Sequence, residues 1–173
     1  VEPVEINAGT YYLRSLRADE LLDDRPRLLA AFADPVHRRF VPHYVVDTVE
    51  AATAYVERRA REWLADERCS WAVAEPTTGE LLGEVGLKRL DLAAGTAEAA
   101  VWLHPAERGR GIAATGLTAA LRFGFGALGL RYVDYRHEAA NHASEAVARK
   151  CGFTLVDAAG SDLRWRLTSD GAA

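Results

Sequence analysis

Cysteine is scarce in this 173-residue chain, and its two copies, Cys69 and Cys151, stand far apart with no C-x-x-C pair and no cysteine–histidine cluster. That pattern argues against a disulfide framework and a structural zinc site, so no metal is expected and a reducing, cytoplasmic setting fits best. Lysine is nearly absent too: apart from Lys88 and Lys150 every basic side chain is arginine. With a formal net charge of -4 and a pI near 5.8, the chain has no general attraction for nucleic acid. Residues 1–7 lack the basic end and apolar run of a secretory signal. Residues 111–130 form the longest apolar stretch, but Thr115, Thr118 and Arg122 interrupt it. An arginine mid-membrane costs about 2.5 to 3.5 kcal/mol on insertion scales, so this stretch reads as a buried globular helix and no membrane partner is expected.

There is no tandem repeat, no low-complexity segment and no dividing linker. A chain of this length suits one domain, residues 1–173, whose folding buries roughly 70% of the unfolded surface. Alternation predicts a strand over residues 11–17, and Asp19 is placed to cap a helix through Leu21, Leu22, Leu28, Leu29 and Phe32, ended by Asp34-Pro35. A loop around Phe40, Pro42, His43 and Tyr44 precedes a helix capped by Asp47 or Thr48 and carrying Ala52, Tyr55, Val56, Arg59 and Trp63. Residues 70–75 and 81–87 read as a hairpin around Pro76-Thr77-Thr78-Gly79, and residues 96–103 as a further antiparallel strand. A long helix over residues 111–130, a strand at 132–136, a helix at 141–151 stopped by Gly152, and strands at 153–156 and 163–167 complete the order βααβββαβαββ. The expected class is α/β, a mixed sheet with helices on both faces.

The most informative stretch is Arg108-Gly109-Arg110-Gly111-Ile112-Ala113, a basic turn from a strand into a helix. Without Cβ atoms at Gly109 and Gly111, backbone N–H groups can converge on a diphosphate at the helix N-terminus, where Arg108 and Arg110 add charged donors. A nucleotide P-loop would need Lys-Ser/Thr where Leu117-Thr118 stands. A dinucleotide fingerprint matches Gly109-x-Gly111-x-x-Ala114, with Asp134 about 25 residues on. Five residues separate Leu103 from Gly109, however, whereas that fingerprint opens almost at the strand's end. An ordinary solvated turn and an acyl-CoA pyrophosphate cradle are the other readings.

The cradle reading agrees with a family resemblance. From residue 13 to residue 167 the chain resembles the GNAT superfamily of acetyl-CoA-dependent N-acetyltransferases, particularly the branch related to RimJ and RimL, which acetylates protein N-termini. Arg108-Gly109-Arg110-Gly111-Ile112-Ala113 matches the R/Q-x-x-G-x-G/A signature. Glu98-Ala99-Ala100-Val101-Trp102-Leu103-His104-Pro105 is similar to that branch's E-I-G-Y-W-L-x-P strand, and Asn141-x-x-Ser144-x-x-Val147-x-x-Lys150-x-Gly152-Phe153 to its N-x-x-S-x-x-V-x-x-K-x-G-F helix. The resemblance implies a mostly antiparallel sheet whose fourth and fifth strands splay. Acetyl-CoA, as co-substrate, would lie beside Trp102 and Leu103, with its pyrophosphate on residues 108–113 and its arm bonded to Asn141. A backbone N–H near Trp102 or Leu103 would stabilise the oxyanion.

The implied chemistry is direct attack of a neutral amine on the thioester. Deprotonation at pH 7 costs roughly 4.6 kcal/mol for a lysine of pKa about 10.4 and only about 1 kcal/mol for an α-amine near 7.8. Glu98 is the leading base candidate, with Glu84 and His137 behind it. For the acid, many family members carry a tyrosine where this chain has Ala148, and Ser144 is the substitute, positioned also to contact CoA. A leaving thiolate can depart without a strong acid, since thiols titrate near 8.5. Lys150 is a candidate partner for a CoA phosphate, whereas Trp63, Trp71, Trp165 and Cys151 read as packing residues. The Phe40, Pro42, His43, Tyr44 loop is expected to border the acceptor groove. The expected acceptor is a protein or peptide N-terminus, with a small amine such as an antibiotic as the alternative and a non-catalytic acyl-CoA-binding module as the rival. Monomer and homodimer are both compatible with the sequence.

Overall fold

The computed structural model describes residues 1–171. Its strands are β1 (Ile6–Asn7), β2 (Tyr12–Arg14), β3 (Cys69–Ala74), β4 (Leu81–Asp91), β5 (Thr96–Leu103), β6 (Tyr132–Glu138), β7 (Thr154–Ala159) and β8 (Asp162–Thr168). Its helices are α1 (Arg25–Ala33), α2 (Pro35–Phe40), α3 (Val49–Leu64), α4 (Ile112–Gly126) and α5 (His142–Lys150). The strands form one sheet ordered β1-β2-β3-β4-β5-β6-β8-β7, antiparallel throughout except for β5 against β6. A connection between parallel strands needs a crossover, and α4 supplies it.

Alternation along the strands gives the sheet two apolar faces. On one, Leu28 and Phe32 of α1 and Ala52 and Tyr55 of α3 pack with Ala72, Leu81 and Trp102. On the other, Ile112, Leu117, Ala120 and Leu121 of α4 and Ala148 of α5 pack with Val73, Val85, Leu87, Val133 and Tyr135. At Gly116 a Cβ would stand 2.9 Å from Val73 Cγ2, so glycine lets α4 lie close on the sheet. Thr48 caps α3 by accepting from Ala51 N at 3.1 Å, and Asn141 caps α5 by accepting from Ser144 N at 3.1 Å.

Several expectations are corrected. Asp19 does not cap a helix; it accepts from the N–H groups of Leu21 and Leu22 in a turn and pairs with Arg17. The first helix starts at Arg25 instead, after Asp24 is drawn into a buried pair with Arg14 at 2.8 Å. Asp34-Pro35 does end α1, but it also starts α2: the Asp34 side chain accepts from His37 N at 3.0 Å, and Pro35 occupies a first-turn position needing no N–H donor. Phe40 therefore belongs to a helix, with Pro42, His43 and Tyr44 following in the loop. The strand expected over residues 11–17 shortens to β2, the long helix ends at Gly126, β4 runs on to Asp91, and β1 is an additional edge strand.

Candidate active site

The parallel pairing of β5 with β6 covers only Thr96 to Ala99 against Tyr132 to Tyr135. Beyond that point β5 continues to Leu103 and β6 to Glu138 without pairing, so the strands part. On its other edge β5 remains bonded to β4, and His104 N donates to Leu82 O at 2.9 Å. Because successive N–H groups alternate between edges, the backbone of Trp102 faces β4 with that of His104, while those of Val101 and Leu103 face the gap. Of the two strand residues named from the sequence, Leu103 turns backbone donors and acceptors to the gap and Trp102 contributes its side chain.

An apolar slot fills the gap, lined by Val101, Leu103, Ala113, Tyr135, Asn141, Ser144 and Val147, with Val36, His37 and Phe40 of α2 and the adjoining Val41 as its cover. His37 is buried, its ring 4.2 Å from Phe32 and 5.3 Å from Trp102, and its Nε2 has no hydrogen-bond partner in the protein. Burial, with Arg108 nearby, holds it neutral, its pKa lowered to about 4. Nothing in the sequence singled out His37, because only the packing of α2 against β5 brings it here.

At one end of the slot lies the glycine turn. Gly109 and Gly111 have φ of 79° and 75°, in the left-handed region that favours glycine. Around the missing Gly109 Cβ there is open space to 4 Å, and a Cβ on Gly111 would stand 3.3 Å from Lys150 Nζ. Gly111 is the N-cap of α4, whose start at Ile112 and Ala113 has neither a side-chain cap nor an acidic residue in its first turn. The arginines are held by carboxylates: Arg108 by Asp34 at 2.8 Å and Arg110 by Glu107. Arg108 and the His37 N–H hold the Asp34 carboxyl below the usual carboxylate range.

The opposite face of β5 opens into a groove whose walls include Tyr44, Arg59, Arg68, Lys88, Arg89, Glu98, Ala100, Arg136 and Arg164. The expected border residues Phe40, His43 and Tyr44 line it; Pro42 does not. Slot and groove share Phe40, Val41, Val101, Trp102, Tyr135, Asn141 and Ser144, so they meet where the strands part.

The three base candidates differ sharply. Glu98 faces the groove but is ringed by Lys88, Arg89 and Arg136. Glu84, opposite Trp102, is fully buried and accepts from Tyr55 Oη at 2.5 Å, Trp102 Nε1 at 3.1 Å and Arg59 Nε at 3.2 Å. Burial alone would raise its pKa, yet Arg59 and Arg68 outweigh that and hold it ionised. It anchors β5 to α3 and is walled off from the groove. His137 receives the Trp165 indole N–H on Nε2 at 2.9 Å and lies 2.7 Å from Glu138 O through Nδ1. Those contacts engage both ring nitrogens, Nδ1 donating to the carbonyl and Nε2 accepting from the indole.

Ala148 is fully buried in the core and offers no proton donor. Ser144 stands in the slot beside the Tyr135 hydroxyl, and burial pushes that phenol up to about 12 despite the neighbouring serine. Among the described residues no helix is long and apolar enough to cross a membrane, and no cluster of three metal-ligating side chains occurs.

A family model described as an acetyltransferase (GNAT) domain matches residues 12–154. The chain belongs to the GNAT acetyltransferase family. It is an N-acetyltransferase by that membership, and the fold agrees with solved GNAT structures. A putative ribosomal-protein-serine acetyltransferase from Vibrio cholerae superposes with TM-score 0.80 at 20% identity, covering 97% of this chain and 99% of that one. Mycobacterium smegmatis RimJ, solved with CoA-disulfide, gives TM-score 0.79 at 20% identity over 97% and 88% of the two chains. RimL, named a ribosomal L7/L12 alpha-N-protein acetyltransferase and solved with coenzyme A, gives TM-score 0.79 at 17% identity over 97% and 99%. No curated protein matches the chain by sequence.

Proposed function

We propose that this GNAT enzyme transfers acetyl from acetyl-CoA to the α-amine of a peptide or protein N-terminus. The observation that carries the reading is the meeting of an apolar slot with an open groove across the unpaired end of β5. The slot suits the pantetheine arm of acetyl-CoA: backbone groups of Val101 and Leu103 face it, between apolar walls that include Ala113 and Val147. The turn of Arg108, Gly109, Arg110 and Gly111, with Ile112 and Ala113 opening α4, suits the pyrophosphate, and Lys150 adds a cation beside it. Asn141 and Ser144 line the slot where the thioester would meet the groove.

The acceptor enters by the groove, which meets the slot at Val101, Trp102, Asn141 and Ser144. Its base chemistry favours an α-amine. Glu84 is walled off, His137 is engaged at both nitrogens and Glu98 is ion-paired, so an amine needing only about 1 kcal/mol for deprotonation is served better than a lysine needing roughly 4.6. Glu98 takes the proton through intervening water, and Ser144 stands ready to protonate the leaving thiolate. The specified activity of RimL, on a protein α-amine, supports the same choice.

The test is acetyl-CoA turnover on a panel of peptides with free N-termini, the same peptides N-blocked but carrying lysine, and small amines, read by thiol release and product mass. Acetylation of free N-termini at α is expected. Modification of lysine or of small amines alone would overturn the assignment, and CoA binding without thiol release on any acceptor would make the chain a binding module.

A further inference from the structure

On the groove side of β5 three cations converge on one carboxylate. Lys88 Nζ lies 3.7 Å, Arg89 Nε 3.6 Å and Arg136 Nε 4.0 Å from the oxygens of Glu98. Among the described residues none of the three reaches another carboxylate within 4.0 Å, so two positive charges are in surplus at this point of a chain whose net charge is -4. Glu98 is nearly buried, while the side chains of Arg89 and Arg136 are 80% and 56% exposed. The excess positive charge therefore faces outward, into the groove.

The backbone is bent to achieve this. Lys88 and Arg89 are consecutive in β4 and would point to opposite faces of a regular strand. Instead the pairing with β5 slips between Lys88 and Asp91, and Arg89 sits at φ 50°. That left-handed conformation is strained for an L residue, and strain of this kind collects at binding sites. Here it brings the Arg89 guanidinium round to the carboxylate that Lys88 already faces. Arg136 closes the cluster from β6, just past the last residues that pair with β5.

We infer that Lys88, Arg89 and Arg136 hold an anionic group of the acceptor, with Glu98 as the carboxylate that gathers them. Glu98 precedes Val101 by three residues, about 10 Å along a strand, so the anion sits about that far from the reacting amine. An aspartate or glutamate near the second to fourth residue of an acceptor peptide meets this description, as does the phosphate of a small phosphorylated amine. The inference rests on the groove being the acceptor site.

The experiment compares kcat/KM for three matched peptides with an alanine N-terminus followed by Asp-Asp, Asn-Asn or Lys-Lys, and for an aminoalkyl phosphate against the corresponding amino alcohol, at low and high salt. The acidic peptide is expected to exceed the neutral one by about tenfold, with the ratio shrinking as salt screens the contact. In Arg89→Gly/Arg136→Ala the ratio should fall toward one. Glycine adopts φ 50° freely, so the Arg89 change relieves strain rather than threatening the fold. Equal kcat/KM for the three peptides overturns the inference and leaves N-terminal acetylation standing. Turnover of the aminoalkyl phosphate above that of the amino alcohol, with no peptide acetylated, reverses that outcome: the anion site stands and the N-terminal reading falls, whereas equal turnover of the two overturns the inference. If nothing is acetylated, binding of the labelled peptides to the CoA-loaded protein decides, and equal affinities for Asp-Asp and Asn-Asn peptides overturn the inference.

Discussion

Lys150, the last residue of α5, holds its ammonium 3.3 Å from the point where a Cβ on Gly111 would stand at the head of α4. Two helices distant in sequence thus meet over the glycine turn. Gly111→Trp should lower CoA affinity at least tenfold, through both the φ of 75° and the lost backbone approach. Lys150→Ala, which removes only a cation, should cost less. Titration calorimetry on the folded variants decides; undiminished affinity in Gly111→Trp would move the pyrophosphate elsewhere.

Glu98→Gln should lower kcat by about a hundredfold with an N-terminal acceptor, the scale of general-base catalysis, and leave CoA affinity unchanged, because Glu98 faces the groove and not the slot. The loss should narrow above pH 8, where an α-amine of pKa about 7.8 is already neutral. A pH-independent loss would assign Glu98 a purely structural part.

Glu84 is the counter-charge of Arg59 and Arg68 in a closed environment. Glu84→Ala leaves Arg68 without a carboxylate and Arg59 with Glu62 alone, and should destabilise the protein by about 3 to 5 kcal/mol, measured by denaturant unfolding. A change below 1 kcal/mol would contradict the tight packing of this cluster.

His37 is neutral in the folded protein down to about pH 4, whereas an unfolded chain protonates it near 6.5. Between those values the unfolded state binds more protons, so stability is fully present above pH 6.5 and is lost as pH falls toward 4. The ceiling on that loss is about 3 kcal/mol. His37→Phe, which keeps a ring between Phe32 and Trp102, should flatten the acid limb of stability against pH. An identical limb in both proteins would show that His37 does not titrate as its burial requires.

Ser144→Ala should lower kcat by less than tenfold, because a thiolate of pKa near 8.5 leaves readily without an acid. Single-turnover thiol release measures this, and a loss above a hundredfold would show that protonation at Ser144 limits the reaction.

The elements flanking the site were legible because their signals are short-range. Thr48 and Asn141 cap their helices, and the turn at Gly109 and Gly111 requires positive φ that glycine alone adopts without strain. In the sequence the segment after Asp34 reads as a loop, because proline ends one apolar pattern and a six-residue helix is too short to show another. The slot's cover and the burial of His37 both depend on α2, so neither shows in the sequence. Glu84 was visible as a strand carboxylate, but its burial against Arg59 and Arg68 depends on α3 crossing that face of the sheet.

By itself the sequence determined the order of the main elements and the character of the turn, since strand alternation, capping and a glycine-bearing helix start are properties of a few consecutive residues. Only the tertiary structure decided what Glu98 faces, which backbone groups of β5 are free, and what covers the slot. Those depend on strand register and helix packing: the bulge at Arg89 and the parting of β5 from β6 after Ala99 bring together side chains that no sequence window contains.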